Sequence, residues 1–244
     1  MFSFQEILTT LNSLANKKQA EILQRFFKTG PGEYGEGDIF LGIKVPQQRK
    51  VAIQYSSVAL NVVAQLLKSK IHECRLVALL ILVKKYELAT EAQDKEKIFN
   101  FYVKNLKAIN NWDLVDLSAP KIIGHFLFNY YVPKNQVTKK FLSELADSNN
   151  IWERRIAIIS TFYFIYQGSA SQTFYIAKKL LADKHDLIHK AVGWMLREVG
   201  KRIDKEMLVN FLNIYQAKMS RTTLRYAIEH FSEPERRIYL TRKH

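Results

Sequence analysis

Apolar residues recur at the spacing of an α-helix along nearly the whole chain. In the segments 151–163 and 188–199, for example, large apolar side chains return every three or four positions. No segment alternates in the pattern of a β-strand, and only five prolines and nine glycines interrupt the helical pattern. Short polar breaks such as residues 147–150 and 183–186 contain Asp and Asn, which can cap the helix that follows. The sequence therefore predicts an all-α fold.

The helical segments also show a loose internal repeat. Equivalent positions fall in register at intervals of roughly 34 to 40 residues, a range that suits helix-hairpin repeats of the HEAT or armadillo kind. The residues in register are Ala78, Leu117, Ala157, Ala191 and Ala227. Small side chains at a recurrent position let neighbouring helices approach closely, and stacked hairpins form a curved solenoid. We therefore expect residues 1–244 to form a single HEAT-like-repeat domain, a right-handed α-solenoid with a concave basic face.

The charge of the chain limits its partners. Lys and Arg total 37 against 23 Asp and Glu, which gives a formal net charge of +14. Such an excess favours a polyanionic partner, either nucleic acid or an acidic membrane surface. We favour nucleic acid.

Cysteine content and hydropathy indicate a soluble protein of a reducing compartment. Cys74 is the only cysteine, so the chain can form neither an intramolecular disulfide nor a thiolate zinc cluster. The longest apolar stretch, Leu76 to Val83, is too short to span a bilayer, which takes about 20 residues. Residues 1–18 lack the unbroken apolar core of a signal peptide. We therefore expect a cytoplasmic protein that binds no membrane, and we take the chain to be a monomer.

Two patterns that resemble cofactor or metal sites have simpler interpretations. Residues 30–35 satisfy the GxGxxG pattern of a dinucleotide loop, but they follow a helical pattern rather than a strand, and Glu33 would repel phosphate. His185 and His189 are four residues apart, yet the sequence places no third ligand beside them. We interpret the first as an interhelical loop and the second as a surface pair, and we expect neither a cofactor nor a metal.

The strongest candidate for chemistry is the segment 110–116, which reads Asn-Asn-Trp-Asp-Leu-Val-Asp. Trp112 and Asp116 are four residues apart, so on a helix their side chains share one face. No basic residue lies three or four positions from Asp116, and an acid on a DNA-binding face would repel phosphate. An aromatic ring beside an acid suits a developing positive charge, which favours chemistry on DNA. The alternative is a core Trp112 and an Asp116 that pairs with a base from another helix.

Basic residues continue on the helices predicted further along the chain. Lys190, Trp194, Arg197 and Lys201 are spaced four, three and four apart, which places them on one helix stripe. A Trp flanked by basic side chains suits a nucleic-acid surface. A core Trp whose basic neighbours extend to solvent has the same pattern. The further candidates for phosphate contacts are Arg154, Arg155, Arg221 and Arg225.

Five motifs, taken in chain order, resemble the DNA alkylation repair family of HEAT-like-repeat glycosylases, the AlkD type. They are Phe40-Leu41-Gly42-Ile43 followed by Pro46, the segment 112–116, Asn150-Ile151-Trp152 leading into Arg155, the segment 193–198, and the segment 221–225. The resemblance covers most of the chain. It implies excision of N3- and N7-alkylated purines from double-stranded DNA.

The resemblance also implies a role for four residues. The catalytic carboxylate would be Asp116, the two flanking aromatic rings would be Trp112 and Trp194, and the arginine that holds a phosphate would be Arg155. We therefore expect a monofunctional alkylpurine DNA glycosylase, a hydrolase of base excision repair.

Two other functions fit parts of the sequence. A non-catalytic helical-repeat protein that binds damaged or branched DNA would explain the charge and the repeats, but it leaves Asp116 without a purpose on a phosphate-binding face. A protein-interaction scaffold would favour mixed charge and exposed apolar grooves over a basic stripe that carries a Trp.

Overall fold

All regular structure in the described part of the chain is helical. The computed structural model describes residues 2–131 and 135–241. Within them the one β feature is an isolated parallel bridge between Ile39 and Ile71. The prediction of an all-α protein is therefore confirmed. No helix among these residues is long and apolar enough to cross a membrane.

Contacts within the chain divide it into two compact units, Met1–Ser118 (unit 1) and Ala119–His244 (unit 2). Each unit has buried apolar side chains of its own. The expectation that the whole chain forms one HEAT-like-repeat domain stays a prediction.

Unit 1 is built around a long buried helix. Its elements are α1 (Phe4–Ser13), α2 (Lys17–Phe26), α3 (Val45–Gln54), α4 (Leu60–Leu67), α5 (His72–Leu88), α6 (Ala92–Lys104), a 3-10 turn (Leu106–Ala108) and α7 (Trp112–Ala119). Every residue of α5 from His72 to Val83 is buried, because α1, α3, α4 and α6 all pack against it. The last helix of the unit, α7, carries the first candidate site residues.

One buried carboxylate holds the loop between α2 and α3 against the start of α5. Glu73 accepts hydrogen bonds from the backbone amides of Leu41 (3.0 Å), Gly42 (2.8 Å) and Ile43 (3.2 Å). Gly42 has a φ of +84°, and a Cβ there would lie 2.2 Å from the carbonyl oxygen of Asn16. Only glycine fits this position, because it has no Cβ and adopts positive φ without strain. The loop is thereby fixed beside the first turn of α5.

In unit 2, alternate helices form two rows. The elements are two π-helical turns (Pro120–Gly124 and Leu127–Tyr131), α8 (Asn135–Ala146), α9 (Ile151–Tyr166), α10 (Ser171–Leu180), α11 (Asp186–Arg202), α12 (Lys205–Tyr215), a 3-10 turn (Gln216–Lys218), α13 (Arg221–Ala227) and α14 (Glu233–Thr241). The helices α9, α11 and α13 pack side by side, and α8, α10 and α12 pack behind them. Within this unit the helices therefore pair as antiparallel hairpins.

Glycine at two positions permits neighbouring elements of unit 2 to approach closely. A Cβ at Gly193 in α11 would lie 2.5 Å from the carbonyl oxygen of Thr223 in α13. A Cβ at Gly124 would lie 2.3 Å from the carbonyl oxygen of Ser160 in α9. The alanines that the repeat alignment puts in register are also buried: Ala78, Ala157, Ala191 and Ala227. Leu117, at the remaining position, is half-buried.

Candidate functional site

The two strongest candidates from the sequence lie one turn apart on α7. Trp112 is the first residue of the helix, and Asp116 follows four residues later. Both are half-buried, so neither belongs to the closed core of unit 1. The backbone amide of Trp112 donates to Oδ1 of Asn111 at 2.8 Å, which satisfies one of the amides at the start of the helix.

The Trp112 ring packs against two aromatic rings at the end of α2. The ring of Phe27 stacks on it, with centroids 5.0 Å apart and planes 9° apart. The ring of Phe26 meets it edge-on at 5.8 Å. Phe26 itself is 61% exposed, and no residue of α2 is buried. This helix therefore presents an apolar ring beside Trp112, and it also carries the exposed basic residues Lys17, Lys18 and Arg25.

The start of α7 is fixed by a buried cluster of charged side chains. Oδ2 of Asp113 lies 2.8 Å from Nε2 of His72, and Nδ1 of His72 lies 3.1 Å from Oδ2 of Asp38. The guanidinium of Arg75 donates to the same Asp38 oxygen at 2.6 Å. All four side chains are buried. Two carboxylates thus face one imidazole and one guanidinium, which leaves the cluster close to neutral when His72 is protonated.

Protonation of His72 is favoured by its surroundings. Burial acts to lower the pKa of His72, but the Asp113 carboxylate and the hydrogen bonds to Asp113 and Asp38 outweigh it and raise the pKa to about 9. The imidazole also stacks on Phe40, at 4.5 Å between centroids, and lies 5.0 Å from Phe27. His72 therefore contacts both the start of α7 and the ring on which Trp112 stacks.

A second buried chain of hydrogen bonds supports α7 near its end. The hydroxyls of Tyr102 and Ser118 are 2.8 Å apart, and the Ser118 hydroxyl donates to the carbonyl oxygen of Leu114 at 2.5 Å. Burial raises the pKa of Tyr102, and the charge of Asp116 raises it further. The Asp116 carboxylate therefore lies close enough to this buried phenol to affect its ionisation.

In unit 2, Trp194 lies on the exposed side of α11. Its Nε1 atom donates to Oε1 of Glu198 at 3.2 Å, and its ring lies 6.0 Å from that of Phe162 in α9. Trp194 is half-buried, as Trp112 is in unit 1. Part of the indole of Trp194 is therefore exposed and lies outside the core of this unit.

Glu198 joins several side chains around Trp194. It accepts from Nη2 of Arg197 at 3.1 Å and from Nε of Arg202 at 2.6 Å, while Nη1 of Arg197 also pairs with Glu229 in the segment after α13. Burial acts to raise the pKa of Glu198, but Arg202 and Arg197 outweigh it and hold that pKa below its ordinary value. Arg197 is therefore engaged by two carboxylates of the protein, and a phosphate would have to compete with them.

The arginine pair at the start of α9 is also engaged within unit 2. Arg154 donates through Nε to Asp183 at 2.6 Å and through Nη1 to the carbonyl oxygens of Ser148 and Asn149. Arg155 is 5% exposed, and its Nη1 atom donates to the carbonyl oxygen of Leu187 at 2.6 Å. Arg154 thus connects α9 to the segment before α11, and Arg155 connects it to the first turn of α11. Their contact with phosphate stays a prediction.

The remaining basic candidates are more accessible. Lys201 and Arg225 are exposed. Lys190 is half-buried and pairs with Asp186 at 2.7 Å, one turn earlier on α11. Arg221 is exposed and donates to the carbonyl oxygen of Leu240 at 2.8 Å. Lys201 and Arg225 therefore present the most accessible charge of this set.

The histidine pair of the sequence has partners of its own in unit 2. Nδ1 of His185 accepts from the amide of Leu187 at 3.2 Å, and Nε2 of His189 lies 2.5 Å from the carbonyl oxygen of Asp183. Among residues 2–131 and 135–241, no three His, Cys, Asp or Glu side chains are grouped so that they could hold a metal ion.

Comparison with known proteins places this chain in a family. The sequence model of the DNA alkylation repair enzyme family matches residues 7–231. This chain belongs to the DNA alkylation repair enzyme family. The family to which the five motifs point is therefore confirmed.

A solved structure has the same fold. A predicted DNA alkylation repair enzyme from Enterococcus faecalis superposes on 90% of this chain and 97% of its own length, with a TM-score of 0.67 and 14% sequence identity. At that identity the likeness concerns the fold alone. No curated protein is similar enough in sequence to match the chain.

For this member of the alkylation repair family, the structure adds residues that the sequence reasoning missed. His72 and Asp38 could not be linked to Asp113 from their spacing, because they lie far apart in the sequence and meet only in the folded unit. Glu198 could have been identified from the sequence, because it follows Trp194 at the same four-residue interval at which Asp116 follows Trp112.

Proposed function

We propose that this chain is a monofunctional DNA glycosylase that hydrolyses the N-glycosidic bond of cationic N3- or N7-alkylated purines in DNA. Membership of the DNA alkylation repair enzyme family supports the substrate class. The observation that carries the proposal is local: Trp112 and Asp116 lie one turn apart on α7, both half-buried, in a chain with a formal net charge of +14.

The chemistry requires only one carboxylate. Breaking an N-glycosidic bond builds positive charge on the sugar, as in glycoside hydrolysis. A leaving group normally needs a general acid, but a 3- or 7-alkylated purine already carries a positive charge and departs without one. Asp116 would then stabilise the sugar cation electrostatically and orient the attacking water.

The other residues of the proposal bind the substrate. The rings of Trp112 and Trp194 would each hold the cationic nucleotide by cation–π contact, typically ~0.5 to 2 kcal/mol per contact. Arg155 would hold a phosphate beside the lesion and set the register of the DNA backbone. The chemistry needs no cofactor and no metal.

The DNA surface in this proposal is the concave basic face of a right-handed α-solenoid. The side-by-side packing of α9, α11 and α13 in unit 2 supports such a repeat architecture. The exposed charges of Lys201 and Arg225 support phosphate contacts from this row of helices. The wider set of phosphate contacts that we propose is Lys190, Arg197, Lys201, Arg221 and Arg225, with Arg154 beside Arg155.

In unit 1, Phe26 would contribute an apolar contact to DNA. Its exposed ring meets Trp112 edge-on, and the basic residues of α2 lie on the same helix. We include this helix among the DNA contacts, with Phe26 packing against apolar parts of the nucleotides that flank the lesion.

A comparison of charged and neutral lesions tests the proposal. Duplexes of one sequence would carry either 7-methylguanine or the neutral adduct ethenoadenine, and released base would be measured by chromatography. We expect release of 7-methylguanine and little or none of ethenoadenine, since no acid protonates a neutral leaving group. Equal release of both would contradict the single-carboxylate mechanism.

The same samples separate this proposal from its main alternative. Binding of the 7-methylguanine duplex with no base released would favour a non-catalytic protein that binds damaged or branched DNA. Strand integrity without alkali treatment tests monofunctionality, because a lyase would cut the strand while a pure hydrolase leaves an intact abasic strand. A protein-interaction scaffold would neither bind the duplex nor release the base.

A further inference from the structure

Two paths of contact lead from His72 to the candidate residues on α7. The first is a hydrogen bond: Nε2 of His72 lies 2.8 Å from Oδ2 of Asp113, which follows Trp112 in the first turn of the helix. The second is a stack of rings: His72 lies 5.0 Å from Phe27, and Phe27 lies 5.0 Å from Trp112 with the two planes 9° apart.

We propose that His72 is a positioning residue of this site: held as a cation between Asp38 and Asp113, it fixes the first turn of α7 and the plane of the Trp112 ring. This inference rests on the proposed function, because what it positions is the Trp112–Asp116 pair.

The proton on His72 is required by the geometry of the cluster. A carboxylate accepts hydrogen bonds and donates none when it is ionised. Carboxylate oxygens of Asp113 and Asp38 face the two ring nitrogens of His72, at 2.8 Å and 3.1 Å. Only the imidazolium form has an N–H for each of them. Loss of the proton would leave a nitrogen lone pair against one carboxylate, and that contact would open.

Three charged side chains surround His72, and they come from α5, from the loop after α2 and from α7. Arg75, one turn later on α5, donates to the same Asp38 oxygen that accepts from His72. Asp38 belongs to the loop after α2, and Asp113 to α7. Burial and the Arg75 charge both act to lower the pKa of His72, but the two carboxylates outweigh them and raise it to about 9. His72 therefore stays protonated at neutral pH.

The consequence for chemistry follows from the short distance between Asp113 and Asp116 along α7. Both belong to the first two turns of one helix, so a shift of the first turn moves the Asp116 carboxylate. A displacement of about 1 Å at a reacting group can lower a rate by about 100-fold. Removal of His72 should therefore reduce the rate of base release more than it reduces DNA affinity, which depends mainly on phosphate contacts elsewhere.

The experiment uses His72→Asn, with Asp38→Asn as a milder variant that keeps the contact between His72 and Asp113. Val63→Ala is the matched control, since Val63 is fully buried in α4 and belongs to neither the cluster nor the ring stack. All variants would first be checked for folding by circular dichroism, and rates would be corrected for the folded fraction.

The first measurement does not require activity. In a background with Trp152→Phe and Trp194→Phe, Trp112 is the remaining tryptophan, and acrylamide quenching reports how firmly its ring is held. We expect His72→Asn to increase the quenching of Trp112 and Val63→Ala to leave it unchanged. Equal quenching in the wild-type background, His72→Asn and Val63→Ala would overturn the proposal, whether or not the chain releases a base.

The second measurement is the single-turnover rate of 7-methylguanine release across a pH series. The ratio of wild-type to His72→Asn rates cancels the titration of the substrate itself. We expect this ratio to be about 10 to 100 at neutral pH. It should fall toward one as the pH passes the pKa of His72, because the wild type then loses the same cation.

The outcomes separate this inference from the proposed function. If wild-type protein releases no base, the proposed glycosylase function fails, and the quenching result alone decides whether His72 positions Trp112. If wild-type protein is active but His72→Asn is no slower than Val63→Ala, or its deficit is the same at every pH, His72 has only a structural role and this inference is wrong.

Discussion

The Nε1 atom of Trp194 donates a hydrogen bond to Oε1 of Glu198, four residues later on α11, at 3.2 Å. The same interval separates Trp112 from Asp116 on α7. Glu198 is buried and binds two arginines of the protein, so its carboxylate holds neighbouring side chains in place. We therefore expect Glu198 to act as an anchor, while Asp116 stays the carboxylate that we propose acts on substrate.

Replacement of Glu198 tests the anchoring role. Glu198→Gln keeps the shape of the side chain but removes the charge that binds Arg197 and Arg202. We expect a loss of about 1 to 2 kcal/mol in the free energy of unfolding, because the buried neutral amide would make only weaker hydrogen bonds to the two arginines, which are themselves partly exposed. Urea denaturation followed by circular dichroism measures it.

The matched control for this variant is Glu233→Gln. Glu233 pairs with Arg237 one turn later on α14, and both side chains are largely exposed. Exposed pairs of this kind contribute at most about 0.5 kcal/mol, so this variant should be near wild type. Equal stability losses in the two variants would contradict the anchoring role of Glu198.

Stability should depend on pH through His72. Its pKa is about 9 in the folded protein and about 6.5 in an unfolded chain, so protonation favours the folded state. The stabilisation is complete below about pH 6.5 and is lost as the pH rises toward 9. We expect the free energy of unfolding to fall by about 2 kcal/mol between about pH 6 and 8.5.

Urea denaturation at several pH values checks this fall, with His72→Asn as the comparison. The variant lacks the titrating group, so its stability should be lower at pH 6 and should change far less over the range. Cys74, whose pKa burial raises to about 11, remains a thiol in the folded protein over this range. A wild-type stability that rises from pH 6 to 8.5 would be incompatible with a protonated His72.

Gly193 should be required for the packing of α11 on α13. In Gly193→Ala the new Cβ would lie 2.5 Å from both the carbonyl oxygen of Thr223 and the Cβ of Tyr226, and backbone cannot move aside cheaply. We expect a loss of about 1 to 3 kcal/mol. Gly200→Ala on the same helix is the control, because its Cβ first meets a methyl of the Leu208 side chain, which can change rotamer. Thermal unfolding of both variants would show whether the first loses more stability.

The salt dependence of DNA binding should distinguish the exposed basic residues that contact phosphate from basic residues that pair with carboxylates of the protein. Lys201→Ala and Arg225→Ala should each weaken binding to any duplex and reduce the slope of log affinity against log salt by about one. Arg237→Ala is the comparison, since its guanidinium pairs with Glu233 on α14 and it is not among the proposed phosphate contacts. Fluorescence anisotropy at several salt concentrations would measure the slopes, and an unchanged slope for Lys201→Ala and Arg225→Ala would remove them from the DNA surface.

The fold class could be predicted from the sequence because helical periodicity is a local signal. Apolar residues at intervals of three and four positions identify each helix without knowledge of its neighbours. The same local signal predicted that Trp112 and Asp116 share one helix and that Trp194 and Lys201 share another. The structure confirms both, since the first pair lies on α7 and the second on α11.

The partners of the charged side chains could not be predicted, because they come from distant segments. Arg154 meets Asp183 and Arg197 meets Glu229 only after neighbouring hairpins pack together. His72 likewise meets Asp113 across the interior of unit 1. A sequence identifies basic residues at helical spacing, but tertiary packing decides which of them remain available for phosphate.

The most direct test of the glycosylase proposal is the single-turnover rate of 7-methylguanine release by Asp116→Asn. Asp94→Asn is the control, since it also removes one negative charge but from an exposed pair with Lys97 on α6. We predict that Asp116→Asn binds the duplex at least as tightly as wild type and releases the base at least about 100-fold more slowly, while Asp94→Asn is fully active. A rate for Asp116→Asn equal to that of wild type would contradict the central claim.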